Sequence, residues 1–145
     1  MNDRIRPART EDAEYVRRLM ETLENENFDA EIFRSRLERF LAKPRYIALV
    51  YDDGGVRGFL SARWEETLHR HGVSAEILDL CVDPVCRGRG IGTALMDEAE
   101  HLLADHGAEM IEVSSGTDRR DVHRFYVKQG YRTDHINFRK YPKQY

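Results

Sequence analysis

The chain has 145 residues, 41% of them hydrophobic and 34% charged, with a formal net charge of −3. This size and balance fit one soluble globular domain spanning 1–145 and leave little room for a second. No apolar stretch approaches the roughly 18 residues of a membrane span, and the opening "MNDRIRPART" lacks the apolar core of a signal peptide, so the expected location is cytoplasmic with no membrane partner.

In chain order, "RIRPART" reads as a short strand, and Thr10 with Glu14 downstream opens a helical pattern through Ala13, Val16, Leu19, Met20 and Leu23. A second helix is predicted from about Asp29 to Leu41, with Ile32, Phe33, Leu37, Phe40 and Leu41 at helical spacing, stopping near Pro44. "RYIALVYDDGGVRGFLSARWEE" reads as a hairpin across "DDGG", and "SAEILDLCVDP" as a further strand ending at Pro84. A helix from about Gly90 to His106 follows, then the strand "AEMIEVSS", a helix from about Asp118 to Gln129 closed by Gly130, and a last extended stretch "YRTDHINFRKY". The predicted order is β-α-α-β-β-β-α-β-α-β, an α/β fold with a mixed central sheet flanked by helices.

The segment "DPVCRGRGIGTAL" carries Gly88, Gly90 and Gly92 at alternate positions between a predicted strand and a predicted helix. A helix start leaves its first N–H groups outside the helical ladder, and glycines let the backbone approach an anion closely. Arg87 and Arg89 add positive charge, and a pyrophosphate suits the loop. A Walker loop is excluded because no Gly-Lys-Ser/Thr follows, and the dinucleotide fingerprint fails at Thr93, where it needs glycine.

Arg87-Gly88-Arg89-Gly90-Ile91-Gly92 resembles the R/Q-x-x-G-x-G/A signature of the GNAT superfamily of acetyl-CoA-dependent N-acetyltransferases, and "LDLCVDP" resembles the strand ahead of it. "VHRFYVKQGY" is similar to the family's later motif, a helix carrying Phe-Tyr that ends at Gly and an aromatic residue. The "HRFY" form resembles a bacterial small-molecule branch, and the predicted element order also matches the GNAT fold.

The resemblance implies acetyl-CoA as co-substrate. It assigns Arg87, Gly88, Arg89, Gly90, Ile91, Gly92 and Thr93 to the pyrophosphate, and the backbone of Leu80, Cys81 and Val82 to the pantetheine arm, with an N–H near Leu80 for the oxyanion. The amine must be neutral to attack, and a lysine-like amine titrates near roughly 10.4, so a base or water chain takes its proton. Glu76 and Asp79 are the acids on the central strand. Strict alternation places them on opposite faces, and the bulge the family often carries there changes that phase. Glu76, eleven residues before Arg87, is the first choice because histone-type members carry their base there. Asp79 resembles a recurrent acid of other branches. Tyr126 matches the family's proton donor to the leaving thiolate. Where many members carry Asn, six residues before Phe125, this chain has Arg119, and Arg119, Arg120 and Arg124 are alternative contacts for the 3′-phosphate.

His69 and His71 lie in a predicted connection, and His101 and His106 are five apart on one helix, so no metal is expected. Cys81 and Cys86 suit neither a disulfide framework nor zinc, and Cys86 is read as a bystander thiol. Residues 118–145 hold eight Lys or Arg against three Asp or Glu, and the rest 15 against 23, a balance that argues against nucleic acid as a partner. Residues 11–31 hold eight acids against two arginines, a field suited to a cationic amine of a small molecule or peptide. Tyr15, Phe28, Phe33 and Trp64 fit an acceptor pocket or ordinary core packing. Two functions follow: direct N-acetyl transfer in a ternary complex, or a non-catalytic acyl-CoA-binding sensor. The exposed edges of such a sheet are compatible with a homodimer.

Overall fold

In the computed structural model, described over residues 2–143, the chain divides after Val113 into two compact units. The first unit holds a single five-stranded sheet in sequential order, from β1 (Ile5–Pro7) through β2 (Tyr46–Asp52), β3 (Val56–Glu66) and β4 (Val73–Val82) to β5 (Ala108–Val113). Neighbours pair antiparallel except β4 with β5, which run parallel. That parallel step requires a crossover, supplied by helix α3 (Ile91–Asp105).

Helices α1 (Ala13–Glu24) and α2 (Ala30–Ala42) lie on one face of the sheet. Val16 and Leu19 of α1 meet Ala48, Val50, Phe59 and Cys81, while Phe33, Phe40 and Leu41 of α2 pack against the same cluster. Each large side chain fully buried there contributes roughly 1.5–3 kcal/mol. The opposite face belongs to α3, whose Leu95, Met96, Ala99 and Leu103 have no exposed surface. Gly58 makes that approach possible, because a Cβ at this position would stand 2.9 Å from both Ile91 Cγ2 and Leu95 Cδ1.

Local chemistry sets the ends. A 3-10 turn, Thr10–Asp12, precedes α1 where the sequence suggests helix from Thr10, because the Asp12 carboxylate takes the Arg9 amide at 2.8 Å and a bidentate pair from Arg6. The Asp29 side chain caps α2 by accepting from the Ile32 amide at 3.0 Å. At the β2–β3 hairpin the Asp52 carboxylate accepts from the Gly54 amide at 3.0 Å.

The second unit contains helix α4 (Arg120–Lys128), followed by chain without regular secondary structure. The predicted final strand over "YRTDHINFRKY" is corrected here. Residues 131–143 form no ladder, because a strand is defined by a hydrogen-bonded neighbour and the described residues offer this segment none. The remaining elements of the predicted α/β order are present.

Candidate active site

The centre of the site is a break in strand alternation. On β4, Asp79 opposes Ser61 and Ile77 opposes Ala62, which leaves Leu78 as an extra residue, a β-bulge. Glu76 opposes Arg63. Since Ser61 and Arg63 are two apart on β3, they share a face, and the bulge brings Asp79 and Glu76 onto that face together. It is the α1/α2 side, because Phe59, two residues before Ser61, packs against Val16 and Leu19.

The two acids differ in surroundings. The Asp79 carboxylate accepts a hydrogen bond from the Ser61 hydroxyl at 2.5 Å, and Ser61 is only 1% exposed. Burial pushes the Asp79 carboxyl above the ordinary aspartate range, and the Ser61 bond offsets part of that rise. Glu76 lies toward the solvent end, paired with Arg63 at 3.0 Å. The Arg63 guanidinium is itself held above its ordinary value by a hydrogen bond with Tyr46 and by Glu76, against the opposing effect of burial.

Beyond the bulge the sheet opens. The β4–β5 ladder ends at Ile77–Val113, and β4 continues through Leu80, Cys81 and Val82 paired with β3 alone among the described residues. Asp83 then turns the chain by accepting from the Val85 amide at 3.0 Å. Gly88 and Gly90 take positive φ, 82° and 78°, with open space where a Cβ would stand. Gly90 is the N-cap of α3, and the first intrahelical bond runs from the Ala94 amide to the Gly90 carbonyl at 2.9 Å. The amides of Ile91, Gly92 and Thr93 therefore fall outside the helical ladder, beside exposed Arg87 and Arg89. This cradle of backbone donors at a helix dipole suits a diphosphate.

Tyr126, Arg119 and Arg124 belong to the second unit. Tyr126 is half-buried, edge-on to Phe125 at 5.3 Å and to Tyr131 at 5.9 Å. Arg119 is the N-cap of α4, and Arg120 and Arg124 are exposed on it. His123 Nε2 lies 2.7 Å from the Gly116 carbonyl.

Of the aromatic residues that fit an acceptor pocket or core packing, Trp64 lies three residues beyond Ser61, so it points to the α3 face, where it stacks on His106 at 4.1 Å. Phe33 packs into the α1–α2 cluster beside Phe28, and Tyr15 is about half exposed. Ser61 is the residue that pattern reading passed over. Its signal was one hydroxyl inside the apolar run "GFLSA". Among the described residues, no three His, Cys, Asp or Glu gather as metal ligands, and no helix is long and apolar enough to cross a membrane.

The strand bulges, parts from its parallel neighbour and leads into a glycine cradle at a helix start. Residues 11–131 match the model of the acetyltransferase (GNAT) family, and the chain belongs to that family. It is 38% identical over 138 residues to the aminoalkylphosphonate N-acetyltransferase of Salmonella typhimurium LT2, covering 94% of this chain and 89% of that protein. It is 32% identical to the uncharacterized N-acetyltransferase YhdJ of Bacillus subtilis 168, over 77% of this chain and 80% of that one. A crystal structure of a transcriptional regulator from Bacillus halodurans C-125 shares the fold with a TM-score of 0.88 at 20% identity, covering 94% and 97% of the two chains. The protein is thus an acetyltransferase of GNAT type, a family whose co-substrate is acetyl-CoA.

Proposed function

We propose that this enzyme transfers the acetyl group of acetyl-CoA directly to the primary amine of a small molecule within a ternary complex, and that an aminoalkylphosphonate is the first acceptor to try. The observation that carries the reading is the Asp79–Ser61 pair, a half-buried carboxylate beside the point where β4 leaves β5. The acceptor class rests on the relative that is 38% identical across nearly the whole chain.

In this reading the loop amides from Gly88 to Thr93, with Arg87 and Arg89, hold the diphosphate, and the backbone of Leu80, Cys81 and Val82 holds the pantetheine arm. Asp79 receives the ammonium proton, directly or through water. A carboxylate raised by burial is a stronger base than an exposed one, and proton transfer of this kind is worth about 10²–10⁴ in rate. Glu76, engaged by Arg63, sets the field around the amine. The free amine then attacks the thioester carbonyl, the C–S bond breaks as Tyr126 gives its proton to the thiolate, and the second proton shed by the amine nitrogen passes through water to restore the phenol.

The test is release of CoA from acetyl-CoA with aminoalkylphosphonates, polyamines, aminoglycosides and lysine peptides as acceptors, run with wild type and Asp79→Asn. Turnover with a small primary amine that falls at least a hundredfold in the variant supports the proposal. Acetylation of peptides alone, or an undiminished variant, refutes it.

A further inference from the structure

The face of the sheet that carries Asp79 is built of cross-strand rows. Val50, Phe59 and Cys81 form one, Ala48, Ser61 and Asp79 the next, and Tyr46, Arg63 and Glu76 the third, each running from β2 through β3 to β4. The first row is closed: its residues are 0%, 2% and 2% exposed and lie in the core with α1 and α2. The third is open, with the Arg63 and Glu76 side chains 41% and 27% exposed. β4 runs from Glu76 past Asp79 to Val82 and on to the glycine loop, so the third row lies on the side of Asp79 away from the cradle. An acceptor whose amine meets Asp79, with acetyl-CoA arriving from the cradle side, has room for its remaining atoms only toward Arg63.

The charges along this path are ordered. Both acids, Glu76 and Asp79, stand on β4, and the cation Arg63 stands on β3, one strand spacing of about 4.8 Å away. An ammonium beside the β4 acids and an oxyanion beside Arg63 complement this pattern in a single small molecule, with one or two carbons bridging the two groups. A polyamine or a lysine peptide brings a second cation or a long neutral chain to the same place, where the guanidinium opposes the one and gains nothing from the other.

Arg63 has donors left for an oxyanion. A guanidinium carries five N–H groups in a planar fork that suits phosphonate and carboxylate. Glu76 accepts one of them at 3.0 Å and the Tyr46 oxygen accepts another. Tyr46, half-buried, then has its own hydroxyl hydrogen to give. Lys43 adds a second cation at this end, its Nζ 5.3 Å from the centroid of the Tyr46 ring, while Glu65 acts on Arg63 through its charge alone.

We propose that Arg63, with Tyr46, is the subsite that binds an anionic tail of the acceptor, and that the acceptor is a short amine carrying a phosphonate or carboxylate within two carbons of its nitrogen. The assignment rests on the direct-transfer reading above and adds to it the group that selects the acceptor.

The test compares 2-aminoethylphosphonate, β-alanine and ethanolamine, which share a two-carbon spacer and differ in a phosphonate, carboxylate or neutral tail, as acceptors for wild type, Arg63→Gln, Arg63→Lys and Tyr46→Phe. Each amine is also titrated by calorimetry into the CoA-saturated protein. Wild type is expected to favour the anionic acceptors over ethanolamine in kcat/KM, and the better of the two names the oxyanion. Arg63→Gln should shrink that ratio about 10–100-fold, the range of a charge-assisted hydrogen bond, through the KM of the acceptor with the KM of acetyl-CoA held. Arg63→Lys should recover part of it, since a point charge replaces the fork, and Tyr46→Phe should shrink it less than Arg63→Gln. Taking the ratio removes any change in the field around the amine that follows from freeing Glu76. A ratio unchanged in Arg63→Gln, or a wild type that favours ethanolamine, overturns the subsite and leaves acetyl transfer to a small amine standing. Absence of CoA release with every amine refutes the transfer reading instead, and the titration then decides the subsite: binding of 2-aminoethylphosphonate that weakens about tenfold or more in Arg63→Gln upholds it. Binding that is absent from wild type, or equal in the variant, overturns it.

Discussion

The Ser61 hydroxyl donates to the Asp79 carboxylate across two antiparallel strands, and it reaches that carboxylate only because Leu78 is an extra residue in β4. Without the bulge Asp79 would face α3. The bulge therefore converts a strand acid into a group on the α1/α2 side, next to the stretch of β4 left free by β5.

Asp79 is expected to trade stability for activity. In the unfolded chain its carboxyl titrates near the ordinary 3.8, and burial raises it in the folded state. Between those values the folded state binds more protons, so stability falls as pH rises through the raised value and stays lower above it. Asp79→Asn should melt above wild type at neutral pH, with the difference closing below the ordinary aspartate value, while kcat falls at least a hundredfold. Scanning calorimetry across pH, beside kinetics, checks both halves; a variant less stable than wild type at pH 7 contradicts the sign.

Ser61 tunes that carboxylate. Its hydrogen bond lowers the Asp79 pKa against the effect of burial, so Ser61→Ala should move the acid limb of the kcat/KM profile to higher pH. The substitution is nearly isosteric in a site only 1% exposed, and the fold should be kept. An acid limb that stays in place would identify a different titrating group.

The ion network of Arg6, Asp12 and Asp52 is structural. Arg6 binds Asp12 with two bonds of 2.8 Å and Asp52 at 3.1 Å, tying β1 to the start of α1 and to β2. Burial acts to raise the Asp12 carboxyl, but the Arg6 and Arg9 bonds outweigh it and hold it below the ordinary 3.8. Its stabilisation is present at neutral pH and is lost as pH falls through that lowered value. Asp12→Ala should cost about 3 kcal/mol in urea unfolding at pH 7, since Arg6 loses its most buried partner. Asp52→Ala, at a 31% exposed side chain, should cost about 1 kcal/mol or less.

Much of this was readable from residue patterns. The helices of the first unit, the hairpin and the glycine loop follow from periodicity and turn chemistry, and the loop and the Phe-Tyr motif together carried the family. Three features were not readable. A bulge depends on register between two strands, which no single strand records, so Asp79 could not be set on a face from alternation alone. Ser61 gains meaning only from its neighbour 18 residues later. The last stretch, "YRTDHINFRKY", was placed last in the order as a strand, yet pairing needs a partner that local sequence cannot supply.

Gly90 tests the cradle. At φ 78° with nothing near the absent Cβ, Gly90→Ala meets no clash, and its cost is the left-handed backbone, roughly 1–2 kcal/mol. Relief of that strain turns the amides ahead of Ala94 away from a shared anion, so the Kd for acetyl-CoA should rise about tenfold, ~1.4 kcal/mol. Gly90→Asn, which tolerates the left-handed region better, should fall between the two. Calorimetric titration with acetyl-CoA decides it, and unchanged affinity in the alanine variant would remove the loop backbone as the diphosphate site.

Tyr126 bears on how the leaving group is handled. A free thiol near roughly 8.5 gives the nearest reference for the departing sulfur. Donation from the phenol matters most while charge builds on sulfur, so its loss should act on kcat and little on the KM for acetyl-CoA. Tyr126→Phe retains the ring contacts with Phe125 and Tyr131. A fall in kcat of about a hundredfold with KM within twofold is expected. Restoring a good leaving group separates this role from a positional one: an acetyl thioester of a more acidic thiol should recover much of the lost rate in the variant. Equal loss with both thioesters would mean that Tyr126 positions the substrates and does not protonate sulfur.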